Sequence, residues 1–176
     1  MGKKYYNGRL EFEGEYLNGK RHGKGKEYDY YSGNLIFEGE YLNGLRNGKG
    51  KEYNEDGKLI FEGEYLNGQR HGKGKEYNNN GNLLFEGEYL NGEKWNGKIY
   101  DPENNNIYEI KNGSGYLKEY AYNRKLEFEG EYINGKRNGK GKEFYKNGTT
   151  KFEGEYLNGK KRFSRKYLKG TSKVII

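Results

Sequence analysis

Six copies of Phe-Glu-Gly-Glu-Tyr-(Leu/Ile)-Asn-Gly begin at Phe12, Phe37, Phe61, Phe85, Phe128 and Phe152, at intervals of 25, 24, 24, 43 and 24 residues. A period in the twenties makes each unit a single supersecondary element. Such an element is too small to bury its own apolar face, so the units must stack on one another. Function is then expected on the assembled surface rather than in one pocket. With hydrophobic residues at 31%, the chain is poor in the aliphatic side chains of ordinary cores, and 20 Tyr and 8 Phe must supply the apolar area. Low hydropathy with 34% charged residues would by itself suggest disorder, but disordered chains are depleted in aromatics and this one carries 16%.

Within one unit, Leu59, Phe61, Gly63 and Tyr65 share one parity and Ile60, Glu62, Glu64 and Leu66 the other. A period of two specifies a strand with an aromatic face and a mostly acidic face. Asn67-Gly68 follows, the strongest short hairpin signal, because both residues tolerate positive φ. We read Gln69-Arg70-His71 as completing the loop and Gly72-Lys73-Gly74-Lys75-Glu76-Tyr77 as the returning strand, closed by a second turn at Asn78–Gly81. Of the five glycines in each unit, Gly44 and Gly57 make turns, whereas Gly39, Gly48 and Gly50 fall inside strands. Glycine there marks a close approach, expected to be an aromatic ring of the adjacent hairpin. Glu38 and Glu40 on the outgoing strand and Lys49 and Lys51 on the returning one predict cross-strand ion pairs that set register.

The stretch Phe37-Glu38-Gly39-Glu40-Tyr41-Leu42-Asn43-Gly44-Leu45-Arg46-Asn47-Gly48-Lys49-Gly50 resembles the MORN (membrane occupation and recognition nexus) repeat, in which aromatics, glycines and a turn recur in this phase. The likeness runs over nearly the whole chain. It departs from the family pattern in a period one residue longer than is usual there and in Phe at the first aromatic position, where Tyr is usual. The resemblance implies an all-β, elongated, solenoid-like array of stacked antiparallel β-hairpins bearing a groove, with roles in scaffolding, dimerisation, partner binding and anionic lipid binding.

The array divides into an N-terminal half repeat (1–11), three regular repeats (12–84), two shortened irregular repeats (85–127), a regular repeat (128–151) and a last repeat with a basic cap (152–176). The only Trp, Trp95, and the only Pro, Pro102, fall in the irregular part. That segment is either a degenerate hairpin or a partner-specific knob. Charge is polarised: 128–151 holds six Lys/Arg against three Glu, and 152–176 seven against two. Lys160, Lys161, Arg162, Arg165 and Lys166 are therefore candidates for an anionic partner such as phosphoinositide-bearing membrane. The alternative is that they blunt a sheet edge against aggregation.

No catalytic constellation stands out. His22 and His71 occupy a place where other units carry Asn47 and Asn138, which reads as a turn position rather than a metal or catalytic site. The Glu pairs recur in every regular unit, unlike a catalytic dyad of distinct environments. Absence of Cys removes disulfides and thiolate chemistry. Asn112-Gly113-Ser114 and Asn147-Gly148-Thr149 match the glycosylation pattern, but without a leader they are not expected to reach the secretory route. We therefore expect a non-enzymatic, cytoplasmic scaffold without cofactor, able to sit at a membrane periphery. A protein partner would bind along an aromatic groove presenting Tyr16, Tyr41, Tyr65, Tyr89, Trp95, Tyr132 and Tyr156. Anionic lipid is the runner-up, a homodimer is compatible, and nucleic acid is disfavoured because the aromatics are periodic enough to be core.

Overall fold

In the Asn-Gly pairs that begin at Asn7, Asn18, Asn43, Asn67, Asn91, Asn112, Asn134 and Asn158, the Asn has φ between 49° and 53° and the following Gly is also positive, as a two-residue type I′ hairpin requires. These turns organise a computed structural model that describes residues 1–102, 105–121 and 125–162. Its strands are β1 (Gly2–Tyr6), β2 (Arg9–Leu17), β3 (Lys20–Tyr28), β4 (Leu35–Leu42), β5 (Leu45–Tyr53), β6 (Leu59–Leu66), β7 (Gln69–Tyr77), β8 (Leu83–Leu90), β9 (Glu93–Tyr100), β10 (Ile107–Lys111), β11 (Ser114–Tyr120), β12 (Leu126–Ile133), β13 (Lys136–Phe144), β14 (Thr150–Leu157) and β15 (Lys160–Arg162). They form one 15-stranded antiparallel sheet in strict sequence order. The fold is thus all-β, with stacked hairpins as the repeat implies. At about 4.8 Å per strand, the array is on the order of 65 Å long.

The hairpin loop is shorter than the sequence suggested. Gln69, Arg70 and His71 belong to β7, and His22 likewise belongs to β3, so the histidine position is a strand position. The physical reason lies a little further along. Register moves from Gly39↔Gly50 to Tyr41↔Arg46, leaving two extra residues in the returning strand. Gly48 takes φ +85° in this bulge, and Gly23, Gly72 and Gly139 also have positive φ at the same place. The bulge absorbs residues that a longer loop would otherwise have held.

The glycines at the centre of the strands form a continuous row. Gly14 pairs with Gly25, Gly25 with Gly39, Gly39 with Gly50, Gly50 with Gly63, Gly63 with Gly74, Gly74 with Gly87 and Gly87 with Gly97. Over this row lie the phenylalanines. A Cβ on Gly50 would stand 2.4 Å from Cζ of Phe37 and 3.1 Å from Cε2 of Tyr65. The ring expected over the glycine is present, but it comes first from the phenylalanine of the same hairpin, and the next hairpin adds only its tyrosine edge. Gly48 holds no ring: its Cβ would meet the Glu40 carboxylate.

Phe12, Phe37, Phe61, Phe85 and Phe128 are completely inaccessible. Tyrosines flank them edge-on, with Tyr65 5.2 Å from Phe37 and 5.6 Å from Phe61 between ring centroids. The roof is polar. The guanidinium carbons of Arg46, Arg70 and Arg137 lie 4.0 Å above the rings of Phe37, Phe61 and Phe128. A single layer of sheet therefore encloses its core between a glycine floor and an arginine lid.

Candidate functional site

The lid is a ladder of alternating charge. Arg21 bridges Glu11 and Glu27, Arg46 bridges Glu27 and Glu52, and Arg70 bridges Glu52 and Glu76. Arg137 likewise bridges Glu119 and Glu143. Tyrosine hydroxyls of the next hairpin complete three of these carboxylates: Tyr65 donates to Glu52 at 2.7 Å, Tyr89 to Glu76 at 3.1 Å and Tyr156 to Glu143 at 2.9 Å. Burial alone would raise the Glu52 carboxyl. The Arg70 hydrogen bond and charge, the Tyr65 hydroxyl and Arg46 outweigh it and hold Glu52 below the usual carboxylate range. Glu76 is held low against burial by Lys94 and Arg70. The charges of this surface are engaged with one another, and the surface is structural.

Tyr41, Tyr65, Tyr89 and Tyr156 are only 3–4% exposed, and Tyr132 is also buried. Their rings belong to the core, so they do not present the aromatic groove expected from the sequence. Tyr16, at the start of the row, is 38% exposed. Trp95 is half-buried, and its Cζ3 would stand 2.8 Å from a Cβ at Gly113, so it packs beneath the turn of the short hairpin β10–β11. At the other end, Lys161 closes the ladder on Glu143 at 2.8 Å and lies over Phe152. Arg162 stands 3.7 Å from Glu155, and Lys160 is exposed. Arg165 and Lys166 lie outside the described residues, as does the tail Val174-Ile175-Ile176.

The open concavity is on the opposite face. A groove of about 960 Å³ runs across β2 to β8, with Gly14, Gly25, Gly39, Gly50, Gly63, Gly74 and Gly87 along its floor. Its walls are Glu and Lys. Each outgoing strand places a Glu on either side, such as Glu38 and Glu40, and each returning strand a Lys on either side, such as Lys49 and Lys51. One wall follows the expected pairing: Glu38 is opposite Lys51, and Lys51 is also opposite Glu62. On the other wall the bulge displaces Lys49 from Glu40 and sets it opposite Glu64 of the next hairpin. Glu40 instead sits against the bulge; in the equivalent place Glu15 accepts the Lys24 backbone N–H at 3.1 Å. Tyr28, Tyr53 and Tyr77 donate to Glu13, Glu38 and Glu62 at 2.6–2.7 Å, and burial together with those carboxylates pushes each phenol up to about 12.

Among the described residues, Lys24, Lys26, Lys49, Lys51 and Lys73 make no ion pair within 4 Å, and no cluster of acids and histidines suits a metal. His22 and His71 each leave a buried Nδ1 without a hydrogen bond. No described helix is long and apolar enough to cross a membrane.

Residues 12–34, 37–58, 61–83 and 128–150 match the MORN repeat, slightly more than half of the chain. The chain belongs to the MORN repeat family. Among curated proteins none matches it. The matched MORN repeats are those with a full glycine row, a bulge and an arginine in the lid. In the unmatched stretch between residues 83 and 128 these features lapse one after another: β8–β9 keeps Gly87 opposite Gly97 and a register shift, whereas β10–β11 loses both. Ile110 stands opposite Gly97 in the glycine row, Ile99 replaces the lid glutamate, and Gly115 replaces the lid arginine. The hairpin β10–β11 lacks the bulge, and buried Ile110, Leu117 and Ile99 fill the volume that a phenylalanine takes elsewhere.

Proposed function

We propose that this MORN-repeat protein is a non-enzymatic scaffold that holds a segment of a partner protein in the groove across β2–β8. The observation that carries the reading is the charge of that groove: acidic and basic side chains alternate strand by strand and nearly cancel. A field of this kind offers no net attraction to a polyanion, but it gives register and specificity to a protein segment bearing both signs. The MORN family supports a repeat scaffold or membrane-associated role in general terms. Tyr16 and Trp95, the two accessible aromatics among those expected to bind, do not line this groove, so the reading rests on its Glu and Lys walls.

Chemical cross-linking through lysine, followed by mass spectrometry of the protein captured with its cellular partners, tests this. Cross-links from a partner to Lys49, Lys51, Lys73 or Lys75 are expected. Cross-links confined to Lys160 and beyond would overturn the groove reading.

The second reading, association with anionic membrane, is favoured by the seven Lys/Arg of 152–176. In that reading Lys160, Arg162, Arg165 and Lys166 contact lipid, whereas Lys161 is engaged in the ladder. Retention on phosphoinositide vesicles at low salt, lost on raising salt and in the variant K160E/R162E/R165E/K166E, is its expected result. Indifference of the parent to such vesicles would dispose of it.

A further inference from the structure

Resting on the groove reading above, we infer that the groove takes its partner as an extended polyproline II segment with a three-residue charge repeat, and not as an α-helix. Three dimensions lead there. The groove crosses seven strands, hence about 29 Å at ~4.8 Å per spacing. A segment that spans this length keeps contact throughout only if its charges stay in step with the walls over that distance.

The second dimension is the period. Glu–Glu and Lys–Lys bands alternate, so bands of one sign recur every two strands, about 9.6 Å. Polyproline II advances ~9.3 Å in three residues and returns to the same face. Across the groove the two fall out of step by only about 1 Å. A helix has no such match, because its seven-residue return of ~10.5 Å slips by nearly 3 Å over the same span.

The third is the chemistry of the floor. Its glycines belong to interior strands whose backbone groups are paired across the sheet, so it offers flat peptide and Cα surface without free donors or acceptors. Proline rings, which carry no N–H, lie on such a surface without leaving a donor unmet. The charges that fix register then come from the walls. Lys24, Lys49, Lys51 and Lys73 are exposed there, and none is engaged in an ion pair among the described residues. Glu40, Glu64 and Glu88 are exposed on the outgoing strands between them.

The experiment uses the full chain and three fluorescein-labelled probes: (Pro-Lys-Glu)4, (Pro-Pro-Lys-Glu)3 and the helical (Glu-Ala-Ala-Ala-Lys)4. All three balance their charges, and they differ in period or conformation. Fluorescence anisotropy is expected to give (Pro-Lys-Glu)4 an affinity about tenfold or more above either of the others, and that affinity should fall with salt, because the advantage lies in exposed charge contacts kept in step. The variant K49E/K73E, checked for an unchanged strand spectrum by circular dichroism, should lose the preference. Equal binding of the three- and four-residue repeats, or no binding of (Pro-Lys-Glu)4, overturns the inference. Tighter binding of the helical probe, lost in K49E/K73E, would overturn it while leaving the groove reading standing.

Discussion

Gly63→Ala is the sharpest perturbation of the single-layer core. A Cβ on Gly63 would lie 2.7 Å from Cα of Gly74, 2.7 Å from the Lys73 carbonyl oxygen and 2.7 Å from Cζ of Phe61. Comfortable carbon contacts begin near ~3.5 Å. Two of the three neighbours are backbone atoms held in the ladder between β6 and β7, so the added methyl must either part the strands or push the Phe61 ring outward. Overpacking of this sort costs ~1–3 kcal/mol. Phe61 is fully buried, and partial expulsion of its ring and the arginine above it brings the expected loss to about 3 kcal/mol. Gly92→Ala is the control. Gly92 has φ +89° but open space at its Cβ, so only the left-handed backbone cost of ~1–2 kcal/mol applies. Urea unfolding followed by circular dichroism, with hydrogen exchange read at the β6 and β7 amides, separates the two, because repeat arrays loosen locally. The double variant F61L/G63A should be less destabilised than the sum of its parts, since a shorter side chain vacates the space that the methyl needs. Equal losses for Gly63→Ala and Gly92→Ala, or strict additivity with Phe61→Leu, would refute the floor-and-ring account.

Other expectations follow from the lid and the bulge. Arg70→Lys replaces a fork that reaches two carboxylates with a point charge that reaches one, and should lower stability by about 1–2 kcal/mol in the same urea assay. Lys94→Arg, at a site with a single carboxylate partner, should change little. Replacing His22 and His71 with Asn should leave stability unchanged or raise it by ~0.5–1 kcal/mol. Asn47, in the same place, accepts the backbone N–H of Asn67 in the next turn at 3.4 Å, whereas both His Nδ1 atoms are buried without a partner. Glu52, Glu76 and Glu143 are held below the ordinary carboxylate pKa, so their contribution is full above pH ~4.3 and is lost as pH falls through their lower folded values. Thermal melts between pH 6 and pH 3 should show this fall, flattened in Glu76→Gln. At the alkaline end Tyr28, Tyr53 and Tyr77 are raised to about 12. Their phenolate absorbance should appear late, and stability should decline from pH ~10 up to that value.

The strands and the two-residue turns were legible because period-two alternation and Asn-Gly are local signals, and local signals survive into the folded chain. The glycine slot was legible in kind, though the filling ring was assigned to the wrong hairpin: Phe37 and Gly39 share a face two residues apart, and their contact depends on a χ1 choice that sequence does not show. The bulge was not legible. Gly48 and Gly50 look alike as letters, and only φ separates them: +85° at Gly48, whereas Gly50 needs room for a ring. The tyrosines of an aromatic strand face can line a groove or fill a core, and their burial at 3–4% at Tyr41, Tyr65 and Tyr89 decides for the core. The missing element was the lid, and a signal for it was present. Arg46 and Glu27 of the preceding hairpin recur as a pair in the regular units, and both members lapse together, at Gly115 and Ile99, within the irregular stretch.

That joint lapse explains a choice between two cations that composition cannot. Where a carboxylate stands on both sides the lid residue is Arg: Arg21, Arg46, Arg70 and Arg137 each bridge two glutamates. Lys94 binds Glu76 at 3.1 Å and would find Ile99 on its other side. Lys161 stands in the lid place of the last described hairpin, and its shortest ion pair is to Glu143. A planar fork is useful only when two acceptors flank it, and a point charge suffices for one. The ladder also sets the order in which the array can tolerate change. Removing one interior arginine leaves two partly buried carboxylates facing each other, whereas removing an adjacent arginine and glutamate together, as at Gly115 and Ile99, leaves neighbouring units with their own pairs intact. Substitution in the lid is therefore expected to be tolerated in pairs, while the groove face, which shares only backbone with the lid, remains free to vary its charges for a partner.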